Sequence, residues 1–266
     1  MSPESVERPR DHKGLIREEF TRQAPRYAAN PTVADPDRAA RLVSAIQPSP
    51  DARVLEVATG PGYIALGFAT ACREVIGIDL TEAPLAIAER HRQERGLTNV
   101  RFEVGDAEQL QFDDQEFDVV VCCLALHHFE NPGKVLGEMV RVCRRNGQIG
   151  VEDLMVSEHA ERAAFHNRFE ILRDPSHTRG LPLRELLDLF AAAGLEVEYA
   201  RTEIRPQDAE RWLANSHTPA ERAAEVRAML ERDAAENLSG TYPTVRDGRI
   251  GFNHRVARVV GRRLAR

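Results

Sequence analysis

The sequence predicts an α/β fold built on a doubly wound, mostly parallel sheet, and three observations carry that prediction. Apolar strand-like runs alternate with helical segments from residue 53 to residue 155. Each link between consecutive runs is long enough for a helical crossover. A glycine turn, "TGPG" at 59–62, sits directly between the first strand run and the helix after it.

Residues 1–12 are polar and proline-bearing, so a frayed tail is expected there. A first helix is predicted in "KGLIREEFTRQAPRYA" (13–28). A second follows in "PDRAARLVSAI" (36–46), where Pro36 suits the first helical turn. "RVLEVA" (53–58) reads as a strand, 63–71 as a helix, "EVIGID" (74–79) as a strand, and 84–95 as a helix stopped by Gly96. "VRFEV" (100–104) and "FDVVVCCLAL" (117–126) read as strands. The helix 132–143 and the strand "GQIGVEDLM" (147–155) complete the alternation. Beyond 155 the pattern changes to helices at 158–172 and 182–193, the second stopped by Gly194. "LEVEYARTEI" (195–204) alternates like a strand, and Ala223, Val226, Leu230 and Ala234 recur at helical spacing in the polar segment 207–238. "IGFNHRVARVV" (250–260) alternates again and is expected to close the sheet as an antiparallel edge.

At 266 residues the chain suits one α/β core carrying an insertion. A net charge of −6, with bases and acids interspersed except in the terminal "RVARVVGRRLAR", argues against a nucleic-acid partner. Cys72, Cys122, Cys123 and Cys143 lack CxxC spacing, so reduced core thiols are expected, with no disulfide framework and no metal site. The segment "MSPESVERPRDHKG" has no apolar leader core, and no run approaches the roughly 18 apolar residues of a membrane span. A cytoplasmic location is expected.

Gly60 and Gly62 frame Pro61, and Ala65 completes a GxGxxA pattern that nicotinamide enzymes also carry. Asp79, 19 residues beyond Gly60, suits ribose hydroxyls in either ligand class. Three features favour S-adenosylmethionine. Glu56 projects from the first strand, where a pyrophosphate gains nothing from a carboxylate but an ammonium and a sulfonium do. Asp106 ends the third strand and suits an exocyclic adenine amine. "LALHHFENP" (124–132) sets a polar pair at the ligand edge.

Residues 13–155 resemble a class I S-adenosylmethionine-dependent methyltransferase, most like the type 11 branch that includes the menaquinone and ubiquinone C-methyltransferases. "VLEVATGPG" carries that branch's first motif, with Ala58 where other members have their first glycine. "VIGIDLTEAPLAIAERH" resembles the second motif, "VGDAEQLQF" the third, and "FDVVVCCLALHHFENP" with "VLGEMVRVCRRNGQIGVEDL" the fourth and fifth. "FTRQAPRYA" resembles the helix that lies over the cofactor.

The resemblance implies a Rossmann-like, seven-stranded sheet with N-terminal helices and a helical lid insertion. The cofactor-binding core would span 13–155. The lid would span 156–249 and include one core strand at about 195–204, with a final strand and basic tail at 250–266. It further implies that Gly60 and Gly62 pass under the methionine portion and that Glu56 helps to hold it. Asp79 would take the ribose hydroxyls with Leu80 beside the adenine, and Asp106 and Ala107 would flank its amine. Cys123 and Leu124 would offer backbone carbonyls, and Tyr27 would cap the cofactor. Structural alternatives stand beside these roles, helix-end packing for Tyr27 and an edge ion pair for Glu56.

Methyl transfer from a sulfonium needs an aligned nucleophile and a base near neutral pKa, which makes His127 and His128 the first candidates. Adjacent residues leaving a strand point apart, so one of the pair is expected to face the pocket. "RDPSHTRG" (173–180) offers His177 as a further base and Arg179 as a carboxylate or phenolate partner, or else is a surface loop. Phe165, Phe169 and Trp212 are candidates for an apolar substrate wall, and His254 is read as structural. The fourth motif lacks NPPY or DPPY, so the expected acceptor is a small organic molecule, a phenol, quinol or secondary metabolite, methylated at carbon or oxygen. Two alternatives stay open: a cofactor-binding protein without transfer, cyclase-like or regulatory, and an NAD-dependent oxidoreductase. A homodimer is compatible with either.

Overall fold

The computed structural model describes residues 11–31 and 33–264. The expected tail therefore falls mostly outside the described residues, and His12 already belongs to the first helix. Two helices lead, α1 (His12–Ala29) and α2 (Pro36–Ile46), the latter capped by the Asp35 carboxylate on the Asp37 amide. The alternating unit follows as β1 (Arg53–Val57), α3 (Tyr63–Phe68), β2 (Glu74–Asp79), α4 (Glu82–Glu94), β3 (Val100–Val104) and β4 (Phe117–Cys123). It ends with α5 (Pro132–Val142) and β5 (Cys143–Met155). Then come α6 (Ala160–Arg173), α7 (Leu183–Ala192), β6 (Leu195–Asp208), α8 (Ala209–Asn215), α9 (Ala220–Glu236), β7 (Thr244–Arg246) and β8 (Arg249–Arg263).

The sheet order is β3-β2-β1-β4-β5-β8-β6, a seven-stranded path from which β7 branches as a hairpin arm on β8. Strands β1 to β5 pair in parallel, and β8 lies antiparallel to both β5 and β6. Val54, Leu55 and Val57 of β1 and Val119 to Cys122 of β4 are buried, as strands covered on both faces require. The order reverses between β1 and β4, so the crevice that admits ligands opens at their carboxyl ends.

Several expectations need correction. The last strand is antiparallel but interior, and β6 forms the edge. The fourth strand stops at Cys123 because Leu124 takes φ +52°, and Leu126–His128 becomes a 3-10 turn. The hairpin between β7 and β8 turns on Asp247 and Gly248, both at positive φ, a DG signal that the sequence reading passed over. The lid is also less continuous than 156–249. Leu186 and Phe190 of α7 pack into the main core, leaving α6, α8, α9 and β7 as the added layer. That layer has its own core of Phe169, Trp212, Leu213, Val226, Leu230 and Phe252. It rests on a platform made where β6 and β8 run on together past Met155, the last paired residue of β5.

Candidate active site

The glycine turn is shaped by two carboxylates. Asp79, at the end of β2, accepts the Gly60 and Thr81 amides at 2.9 Å each. Burial outweighs these bonds and pushes its pKa up to about 6. Gly60 has φ +53°, and a Cβ there would meet only Tyr27 Cε1, at 3.7 Å. Glu56 is 2% exposed and accepts the Thr59 hydroxyl at 2.5 Å and the Ala65 amide at 2.8 Å. Burial pushes its pKa up to about 8. Glu56 thus braces the turn from behind rather than lining the crevice. Gly62 does not line it either. Its Cβ would collide with Phe102 Cζ at 2.7 Å and Ala88 Cβ at 2.8 Å, so packing and a φ of +80° demand the glycine. Cys123 is buried behind Leu124 and likewise lies off the cavity.

The crevice is a cavity of about 750 Å³ whose lining includes Tyr27, Ala58, Gly60, Asp79, Leu80, Asp106, Ala107 and Leu124. Helix α1 covers its mouth. Lys13 pairs with Asp106 at 2.6 Å and Glu108 at 3.0 Å, and the His12 ring donates to the His128 carbonyl at 2.7 Å. Among the sequence candidates for the cofactor, eight therefore surround one space, and Glu56, Gly62 and Cys123 support it from outside.

A second cavity of about 730 Å³ shares Phe20, Tyr27, Leu124 and His128 with the first. Gln23, His127, Glu170, Arg173, Asp174, Arg205, Trp212 and His254 also line it. His127 Nδ1 lies 2.5 Å from Asp153 Oδ1, whose second oxygen is buried without a partner. Burial lowers the His127 pKa, but the Asp153 charge and hydrogen bond outweigh it, and the net shift is upward. His128 behaves oppositely. Burial, with His127 alongside, presses its pKa down to about 4, and its Nδ1 donates to the Ser176 carbonyl at 3.0 Å.

The remaining substrate candidates lie elsewhere. His177 packs 5.1 Å from the His127 ring and binds Asn167 at 3.2 Å, but it lines neither cavity. Phe169 is fully buried in the lid core, with Phe165 packed against that cluster. Arg179 is spent on an exposed bidentate pair with Glu185. Trp212 does line the cavity, and so does His254, whose Nε2 lies 2.8 Å from Glu170 Oε1. Burial works against ionising Glu170, but His254, His166 and Arg173 hold its pKa well below the usual range. The sequence reading missed Asp153, Gln23, Glu170, Arg173 and Arg205. An acid at the carboxyl end of the fifth strand, two strands' width from the glycine turn, was the one available signal for Asp153.

A family model described as "Methyltransferase domain" matches residues 48–203. The uncharacterized methyltransferase YcgJ of Bacillus subtilis is 31% identical over 217 residues, 82% of this chain and 86% of that protein. Its crystal structure superposes with a TM-score of 0.82 over 86% of this chain and 99% of its own. A solved protein of Bacillus halodurans gives the same TM-score at 30% identity, with 86% of this chain and all of that one covered. A demethylmenaquinone methyltransferase of Renibacterium salmoninarum is 31% identical over 138 residues, 50% of this chain and 56% of that protein.

Proposed function

The chain belongs to the methyltransferase-domain family, and from that premise we propose that it transfers a methyl group from S-adenosylmethionine to a small acceptor carrying an acidic O–H or C–H on a ring. The residues of the first cavity fit that cofactor. Leu80, Ala107 and Ala58 give an apolar seat, Asp79 offers a charged acceptor for two hydroxyls, and the Gly60 backbone is open to close approach. When bound, the cofactor supplies a methyl already activated by the adjacent sulfonium charge. The chain's own work is to align the acceptor and take its proton.

The observation that carries the reading is the wall shared by the two cavities, with the His127–Asp153 pair beside it. Asp153 fixes the imidazole with its proton on Nδ1, which leaves Nε2 as the proton acceptor. His128, neutral and tied to Ser176, forms part of the partition. Tyr27, Phe20 and Trp212 give the second cavity aromatic surface, and Arg173 and Arg205 offer guanidinium donors beside the carboxylates of Glu170 and Asp174. This composition suits a phenol or quinol, the class that the name of the Renibacterium relative also suggests. The oxidoreductase alternative falls with the family match.

The test is a panel of phenols, quinols and aliphatic alcohols with methyl-labelled S-adenosylmethionine, scored for S-adenosylhomocysteine and labelled product. Label confined to tRNA or protein would refute the small-molecule acceptor. Tight cofactor binding with no S-adenosylhomocysteine from any acceptor would favour a protein that has kept the cofactor without the transfer. No described helix is long and apolar enough to cross a membrane.

A further inference from the structure

The lid brings two imidazoles and a carboxylate to one point. His166 and Glu170 lie four residues apart on α6 and so share a face, and His254 reaches the same point from β8. One ligand atom from each lies within 4.8 Å of the other two. Glu170 Oε1 is 3.4 Å from His166 Nε2 and 2.8 Å from His254 Nε2. His166 is 1% exposed, and its Nε2 has no hydrogen-bond partner. If that nitrogen carries a proton, its donor is unused; if it does not, its lone pair faces a carboxylate. A charged ring is offset by the carboxylate at 3.4 Å but makes no hydrogen bond to it, and a neutral ring leaves the buried nitrogen uncompensated. A cation among the three atoms compensates all of them at once.

We propose that His166, Glu170 and His254 bind a divalent transition-metal ion of the zinc class, with its open coordination position toward the second cavity. Two imidazole nitrogens and one carboxylate oxygen form the donor set of zinc sites that keep a position for water or substrate. Imidazole also disfavours magnesium and calcium. Tetrahedral zinc with bonds of about 2.0–2.1 Å sets its ligand atoms about 3.3 Å apart. The His166–Glu170 spacing fits as it stands, His254 needs to withdraw from Glu170 by about 0.5 Å, and the two imidazole atoms, within 4.8 Å of each other, need to settle at the same separation.

The other oxygen of Glu170, Oε2, lies 3.7 Å from Arg173, which is itself anchored over the Trp212 ring at 4.8 Å. That outer contact holds the carboxylate so that Oε1 alone faces the histidines. Glu170 and His254 line the second cavity whereas His166 does not, so the open side of the ion faces the cavity. An oxyanion of the acceptor would complete the coordination, a detail that rests on the methyl-transfer reading; the ion itself does not. The sequence reading expected no metal because it weighed cysteine spacing alone, and 84 residues separate Glu170 from His254.

The full chain, stripped with a chelator, is titrated with Zn²⁺ and bound metal is measured by equilibrium dialysis with elemental analysis. In parallel, Co²⁺ is followed through the fluorescence of Trp212, the sole tryptophan, whose ring lies 5.8 Å from that of His254. The expected result is one zinc per chain and cobalt quenching that saturates at one equivalent. His166→Ala and His254→Ala should each weaken binding by about 100-fold or more, whereas the exposed His159→Ala should bind normally. Zinc below about one tenth of an equivalent, or stoichiometric binding that survives both variants, overturns the proposal. Circular dichroism separates lost binding from lost fold, and if either variant unfolds, the wild-type cobalt titration decides. Metal binding in a chain that fails to bind S-adenosylmethionine would sink the methyl-transfer reading and spare this one.

Discussion

Replacing Asp79 by asparagine separates the charge of this residue from its shape. The carboxylate accepts two backbone amides, yet burial raises its pKa from the ordinary 3.8 to about 6. That difference of about 2.2 units, at about 1.36 kcal/mol per unit, means that the ionised side chain costs the folded protein about 3 kcal/mol near pH 8. The native pKa is the higher one, so the native state binds more protons between the two values, and the cost lifts as the pH falls. Near pH 5 about 1.5 kcal/mol of it remains. Asparagine carries no charge at either pH, but it turns its amide toward one of the two donors, a loss of about 1–3 kcal/mol. The stability of the variant relative to wild type should therefore fall by about 1.5 kcal/mol between about pH 8 and pH 5, measured by urea denaturation without cofactor. Glu56 is displaced to about 8 in part by the Asp79 charge, so it titrates lower in the variant and adds to the fall in the same direction. Calorimetric titration should show S-adenosylmethionine binding weakened about 10- to 100-fold in the variant, because its hydroxyls lose a charged acceptor. A relative stability that stays level across this range, or a variant that binds the cofactor as well as wild type, would refute the reasoning.

His127→Gln should lower kcat by about 10²- to 10⁴-fold and leave cofactor affinity unchanged. Asp153, Glu170, Asp174, His128 and His177 all act on this ring, and its net pKa lies above 6.5. The proton-accepting form is thus lost as the pH falls, so kcat/KM should decline through an inflection above 6.5 that Asp153→Asn moves downward; an inflection indifferent to Asp153→Asn would count against the pair. Gly62→Ala should destabilise the protein by about 2–4 kcal/mol, since a methyl at positive φ meets Phe102 and Ala88 below 3 Å, and a thermal shift of less than a degree would contradict the packing argument. Arg179→Ala should keep kcat/KM within about twofold and stability within about 1 kcal/mol, because its partner Glu185 is a solvent-exposed ion pair.

The lining of the first cavity was readable because it depends on backbone turns at strand ends, and glycine, proline and acid spacings record such turns directly. Asp79 and Asp106 sit at the ends of β2 and β3 in the structure as their positions in the chain suggested. Glu56 shows where that reading stops. At that strand position it accepts the Thr59 hydroxyl and the Ala65 amide, partners that the sequence pattern does not announce. The second cavity was far less legible. Its polar lining comes from α1, the 3-10 turn, α6, β6, α8 and β8, so neither spacing nor periodicity links Gln23 to Arg205 or Glu170 to His254. Aromatic residues at helical spacing pointed to Phe165 and Phe169, but a lid with a core of its own consumed them. Arg173, the last residue of α6, and Arg179, in the loop after it, lie six residues apart, and nothing in the sequence says which is drawn inward.

The interior position of β8 has a consequence for how the molecule comes into being. During synthesis β5 and β6 emerge well before the strand that must lie between them, so each waits with an unpaired backbone edge. The β5–β8 ladder is closed late, by contacts that reach back across a hundred residues or more. Because β8 also delivers His254 to the second cavity, the nascent chain can hold a finished first cavity before it owns a complete second one.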